Sequence, residues 1–288
     1  MSYVGRFAPS PTGRLHLGSL LAALASFLDA RHQQGRWYVR IEDLDPLREQ
    51  PGANDDILRT LECLQLHWDG TVEYQSQRHQ HYEATLDRLS AQGRLYPCVC
   101  SRREVKQRGA YPVYDRHCLS HPPGDNQPSA LRLLSHPPLP DFVDGIQGAQ
   151  NGKCAVDDVI LRRRDGLFAY QLAVVVDDHL QGITHVVRGA DLIAETPRQL
   201  HLQQLLGYAQ PHYAHIPLAC HQGQKLSKQN LAPALNPATG SRLLTQALTL
   251  LGQALPADME QAPVHELLAW ATTHWQLARV PACLHLEV

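Results

Sequence analysis

A chain of 288 residues exceeds one minimal domain and is long enough to bury a sizeable core. Its 26 Lys+Arg against 28 Asp+Glu, a formal charge of −2, exclude a polyanion binder that works by overall charge. The N-terminus has no secretory signal and the seven cysteines are odd in number, so the expectation is a cytoplasmic chain with no membrane segment, no obligate protein partner and free or metal-bound thiols.

In chain order, residues 3–8 form an apolar strand pattern followed by a Pro/Gly turn, Pro9-Ser10-Pro11-Thr12-Gly13-Arg14-Leu15-His16-Leu17-Gly18. A long apolar helix pattern, 19–33, stops at Gly35, and a second strand, 37–41, ends against Glu42. Helix patterns cover 55–64 and 79–92. Cys98-x-Cys100 and Tyr114-Asp115-Arg116-His117-Cys118 bracket a basic segment containing Arg102, Arg103, Lys106 and Arg108. Residues 122–140 are Pro-rich and read as irregular. Residues 170–178 suit either a strand or a buried helix, which periodicity does not separate. A strand at 183–187, a helix at 196–206 stopped by Gly207, and a strand at 215–219 follow. Two helices, 242–253 and 264–277, come after the polar loop Lys225-Leu226-Ser227-Lys228-Gln229.

Strands alternating with helices predict an α/β fold with a parallel sheet and helices on both faces. Ligands of such sheets bind beyond the carboxyl ends of the strands. Ser10, His16, Glu42, Arg188, Lys225 and Lys228 all follow a strand pattern. A helix start favours phosphate through its free N–H groups and its dipole, and two lysines three apart suit a polyphosphate. Arg6 and Arg188 can grip carboxylates bidentately. Glu42 offers a partner for an ammonium group, and Ser10 and Tyr170 offer neutral hydrogen bonds. The competing reading for each charge is an internal salt bridge of Glu42 with one of these arginines, and for His16 a helix cap alone.

The segment Arg6–Gly18 together with Lys225–Gln229 resembles the class I aminoacyl-tRNA synthetases of the glutamyl branch. The first motif ends in Ser19 where the family pattern has histidine, and the second has Leu226 for methionine and Gln229 for serine. The resemblance implies a Rossmann-like catalytic domain that uses ATP with Mg2+ to convert L-glutamate to its adenylate. It places Arg6, Ala8, Ser10, Glu42, Tyr170 and Arg188 around glutamate, His16 and Gly18 at ATP, and Lys228 on the phosphates with Lys225 assisting. The implied organisation is a catalytic domain split over 1–97 and 145–230, a zinc-binding insertion at 98–144, a helical region at 231–288, and no anticodon-binding domain.

For a structural Zn2+, ligand chemistry alone nominates Cys98, Cys100, Cys118 and His117. The short paralogues of this branch place a tyrosine four residues before the last cysteine, which implies Tyr114 as the fourth ligand. Those paralogues also imply transfer of glutamate to the queuosine base in the anticodon loop of tRNA(Asp). The alternatives are a minimal synthetase charging a tRNA 3′ end, a nucleotidyltransferase, and a non-catalytic RNA-binding paralogue.

Overall fold

The computed structural model describes residues 2–111, 113–136, 138–152, 158–222, 224–226 and 234–288. The chain starts with β1 (Val4–Phe7), all four of whose residues are buried, and α1 (Leu17–His32). Then come β2 (Arg36–Ile41), α2 (Ala53–Cys63) and β3 (Glu73–Tyr74). The β1-α1-β2 and β2-α2-β3 passages are parallel crossovers, giving a sheet in the order β1-β2-β3. The chain returns to β2 so closely beneath Tyr3 that a Cβ on Gly35 would lie 2.5 Å from the Tyr3 carbonyl oxygen. Only glycine fits there.

Next follow α3 (His79–Ala91), β4 (Leu95–Cys98), α4 (Arg102–Gln107), α5 (His117–Ser120), β5 (Ala130–Leu133), β6 (Phe142–Asp144), β7 (Gly148–Gln150) and β8 (Ile160–Arg162). β4-β5-β8 form an antiparallel sheet, and β6-β7 a hairpin. This corrects one expectation: the Pro-rich stretch 122–140 contains strand β5. Strand pairing with β4 and β8, which no local composition marks, draws it into the sheet.

α6 (Tyr170–Leu180), β9 (His185–Gly189), α7 (Thr196–Leu206) and β10 (His212–Ile216) complete the parallel part, with β9 and β10 paired in parallel. Thr184 N–H donates to the Val4 carbonyl at 2.9 Å, bringing this pair beside β1. The ambiguous run 170–178 is therefore helix. It is buried from Leu172 to Asp178, which erased any one-sided pattern. The expected strand at 215–219 is two strands. Pro217, which has no N–H to donate, separates β10 from β11 (Leu218–His221).

β11 pairs antiparallel with β12 (Gln224–Lys225) and parallel with β13 (His285–Glu287), which follows α8 (Gly240–Leu250) and α9 (Val264–His274). The C-terminal region expected to be helical thus also returns a strand. Leu244, Leu248, Leu267 and Ala271 of α8 and α9 join Leu20, Leu24 and Leu28 of α1 in the main core, with Trp37, Val39 and Ile41 of β2. Because α1 has neighbours on both sides, it is buried nearly all round. Among the described residues no helix is long and apolar enough to cross a membrane.

Candidate active site

A cleft of about 570 Å³ opens where β1, β2, β9 and β10 end. Arg6 on β1, Ala8 and Ser10 in the turn after it, His16 and Gly18 at the start of α1, Glu42 after β2, Tyr170 at the start of α6 and Arg188 on β9 all line it. These eight residues named from sequence meet in one cavity.

His16 is the N-cap of α1. Its Nδ1 accepts from the Ser19 N–H at 3.4 Å, while its own N–H donates to Ser19 Oγ at 2.7 Å. The capping reading of His16 therefore holds, and it is compatible with a second role. With Nδ1 accepting, the ring proton sits on Nε2, so the histidine presents a donor. Ser19, where the family pattern has histidine, supplies the other half of this reciprocal cap. A Cβ on Gly18 would lie 3.1 Å from the imidazole and 3.6 Å from the Leu226 carbonyl, so glycine keeps the passage between ring and loop open. The backbone of Lys225-Leu226 thus runs beside the start of α1, held by Leu226 N–H on the Ala219 carbonyl at 2.7 Å. Lys228 and Gln229 lie outside the described residues, and of Lys225 only the backbone in β12 is described.

The floor on the β1-β2 side is a buried charge network. Asp178 accepts from Arg6 Nε at 3.3 Å and Arg40 Nη1 at 2.8 Å, and Arg40 Nη2 reaches Glu42 at 3.3 Å. Asp177 takes Arg78 Nε at 2.7 Å, Gln75 and the Tyr82 hydroxyl. Burial pushes the Asp178 carboxyl up, but Arg6 and Arg40 outweigh it and hold it below the usual carboxylate range. At Glu42 burial wins over Arg40 and Arg6, and its carboxyl is raised. The internal bridge weighed for Glu42 exists, but its partner is Arg40, not Arg6 or Arg188.

Arg188, on the other side, has no carboxylate partner among the described residues. Its Nε donates to His215 Nε2 at 3.0 Å, Nη1 to the Tyr170 hydroxyl at 3.3 Å, and Nη2 to Thr196 Oγ1 at 2.8 Å. Its guanidinium lies 5.0 Å from the Tyr213 ring centroid. None of these direct partners is a carboxylate, so no ion pair among the described residues takes up its charge.

A second cluster lies in the antiparallel layer. The sulfurs of Cys98, Cys100 and Cys118 lie within 4.8 Å of one another. The Tyr114 hydroxyl sits 3.3 Å from Cys98 Sγ and 3.5 Å from Cys100 Sγ, and accepts from the Cys118 N–H at 2.9 Å. The His117 ring instead stacks on His121 at 4.8 Å. Arg132 lies 3.7 Å over the Tyr114 ring and Arg108 Nη2 reaches Cys100 Sγ at 3.4 Å, so cations flank the sulfurs. Three thiols gathered this closely are compatible with a zinc donor set.

With this geometry established, sequence comparison is decisive. The profile described as tRNA synthetases class I (E and Q), catalytic domain, matches residues 3–239. The chain belongs to this family. A glutamyl-Q tRNA(Asp) synthetase of Vibrio cholerae is 48% identical over 289 residues, covering 99% of this chain and 94% of that protein. One from Escherichia coli (strain K12) is 52% identical over 284 residues, covering 97% and 91%. The crystal structure of a glutamate-tRNA synthetase from Elizabethkingia anophelis superposes with a TM-score of 0.81 at 26% identity, over 100% of this chain and 68% of that one.

In this class I synthetase, the sequence did not single out Arg40, Asp177 and Asp178 of the buried network, nor His215 behind Arg188 and its buried partner Asp144. Three of these left a signal. Arg40 stands two residues before Glu42, on the same side of an extended strand. Asp177-Asp178 interrupts an otherwise valine-rich buried run. Asp144 and His215 left none.

Proposed function

We propose that the chain condenses L-glutamate with ATP to glutamyl-adenylate and transfers the glutamyl group to the queuosine base of tRNA(Asp). The observation that carries the amino-acid choice is Arg188 in the cleft, without a carboxylate partner among the described residues. The near full-length likeness to glutamyl-Q tRNA(Asp) synthetases supports the acceptor. Arg188, with no carboxylate among its hydrogen-bond partners, offers a cation to a carboxylate of glutamate, while Arg6 is already shared with Asp178.

In this reading Arg188 and Tyr170 hold the side-chain carboxylate. The α-carboxylate must attack phosphorus, and an oxygen locked to a buried guanidinium would be a poor nucleophile. Glu42 takes the α-ammonium, Arg6 presents its Nη groups, and Ala8 and Ser10 form the near wall. His16 and the first turn of α1 receive the phosphates of ATP·Mg2+, Gly18 leaves room for the adenine, and Lys225 and Lys228 neutralise the departing pyrophosphate. The carboxylate oxygen forms a bond to the α-phosphorus as the bond to pyrophosphate breaks. Positioning and charge neutralisation, more than covalent chemistry, lower this barrier. A queuosine hydroxyl then attacks the carbonyl carbon and AMP leaves. A cytoplasmic location accompanies this reading.

Incubation with labelled glutamate, ATP·Mg2+ and tRNA(Asp) with or without queuosine tests it. Label is expected only on the queuosine-containing tRNA, in its anticodon fragment. Label on the 3′-terminal adenosine would establish the minimal-synthetase reading instead.

The cysteine module, in the same proposal, holds one structural zinc through Cys98, Cys100, Cys118 and Tyr114. Bound zinc would tie β4 to α5 and neutralise the thiolates. Metal content should be lost in Cys98→Ser, reduced in Tyr114→Phe and retained in His117→Ala; loss in His117→Ala alone would make the histidine the ligand.

A further inference from the structure

Arg188 raises a physical question that its direct contacts do not answer. A buried guanidinium with no carboxylate is costly, and its long side chain must still be held in one orientation. The answer lies behind it, away from the cleft. The Arg188 Nε carries a single hydrogen and gives it to His215 Nε2 at 3.0 Å, so that nitrogen must offer a lone pair. The ring proton is therefore on Nδ1, which donates to Asp144 Oδ2 at 2.5 Å. Asp144 is fixed in turn, because its Oδ1 accepts from the backbone N–H groups of Ile146, Gln147 and His215 at 2.9 to 3.0 Å. Both side chains are fully buried.

We propose that Asp144 and His215 are positioning residues for substrate recognition: the aspartate locks the neutral Nδ1–H tautomer of the histidine, and that tautomer aims Arg188 at the substrate's carboxylate. This rests on the glutamate-activation reading above. The arrangement supplies Arg188 with an acceptor without cancelling its charge, which a carboxylate in the position of His215 would do. It also links affinity to the β6-β7 hairpin, since Asp144 ends β6.

Protonation of His215 would put an N–H against the Arg188 N–H, turning an acceptor into a competing donor. The groups facing His215 are Asp144 from β6, Arg188 from β9, Asp191 from the turn after β9 and Tyr213 on its own strand. Burial lowers the imidazole pKa; Asp144 opposes this and Arg188 adds to it, leaving the value below the usual range. The sign follows: His215 is neutral at pH 7, and Arg188 loses its acceptor as pH falls through that lowered value.

The test is glutamate-dependent ATP–pyrophosphate exchange, run with tRNA present across a pH series, on the wild type, Asp144→Asn and His215→Gln. The amide of Asp144→Asn can donate to Nδ1 and so favours the opposite tautomer at almost no change in volume. Its KM for glutamate should rise about tenfold or more, the scale of a lost hydrogen bond to a charged group, with KM for ATP unchanged. His215→Gln keeps an acceptor that does not titrate. It should retain near wild-type KM for glutamate at pH 7 and show a smaller rise at acid pH than the wild type, the remainder belonging to Glu42, whose carboxyl is raised. Should Asp144→Asn fail to fold, as judged by thermal unfolding, the His215→Gln profile alone decides. A wild-type KM in folded Asp144→Asn, or an acid rise in His215→Gln as large as that of the wild type, would overturn the proposal. Absence of glutamate-dependent exchange in the wild type would instead overturn the activation reading, and this inference with it.

Discussion

Arg6 and Arg188 are almost equally hidden, at 3% and 5% exposure, and both line the same cleft, yet their surroundings are opposite. Arg6 shares Asp178 with Arg40 in a network of matched charges. Arg188 meets a histidine, a tyrosine and a threonine, none of them charged as arranged. A buried arginine is thus not informative by itself; the charge of its partners decides how much of its own charge the fold has already matched. Matched buried pairs bring little net stability but are costly to break, whereas an unmatched cation keeps its field for whatever anion arrives.

That contrast can be broken from either side. The largest effect is expected for Asp178→Asn, which leaves Arg6 and Arg40 without their common carboxylate. Its unfolding free energy in urea should fall by about 3–5 kcal/mol, the cost of stranding buried charge. Arg188→Gln should show a smaller loss, and a different one. Its kcat/KM for glutamate should drop by about 1.5–3 kcal/mol in transition-state terms, while its urea midpoint stays well above that of Asp178→Asn. Equal destabilisation by the two substitutions would erase the distinction, because Arg188 would then also be a structural cation.

The catalytic side of the chain was readable where its chemistry is local. His16, Gly18 and Ser19 lie within one turn of a helix start, and an N-terminal cap is specified by neighbours in sequence. The helix 196–206 was readable to the residue because Pro197 opens it and Gly207 closes it in a left-handed conformation. The cysteine module was readable as spacing, and the resemblance to short paralogues implied Tyr114 over His117 as its fourth member. Only the fold puts the tyrosine hydroxyl among the sulfurs and turns the histidine onto His121.

What could not be read are interactions whose partners are remote. Arg40 and Asp178 are 138 positions apart, Arg6 and Asp178 172, and Asp144 and His215 71. No periodicity or propensity couples residues at such distances, so even where a residue stands out in its own run, as Asp178 does, nothing local names its partner. The sequence by itself determined the alternation of strands and helices, the capped start of the first helix and the identity of the cleft's polar groups, because these follow from short-range geometry and backbone hydrogen bonding. Tertiary structure alone decided which arginine is paired with a carboxylate, that His215 stands between Arg188 and Asp144, and where β11 leaves the parallel set, because those outcomes depend on the partners that packing supplies.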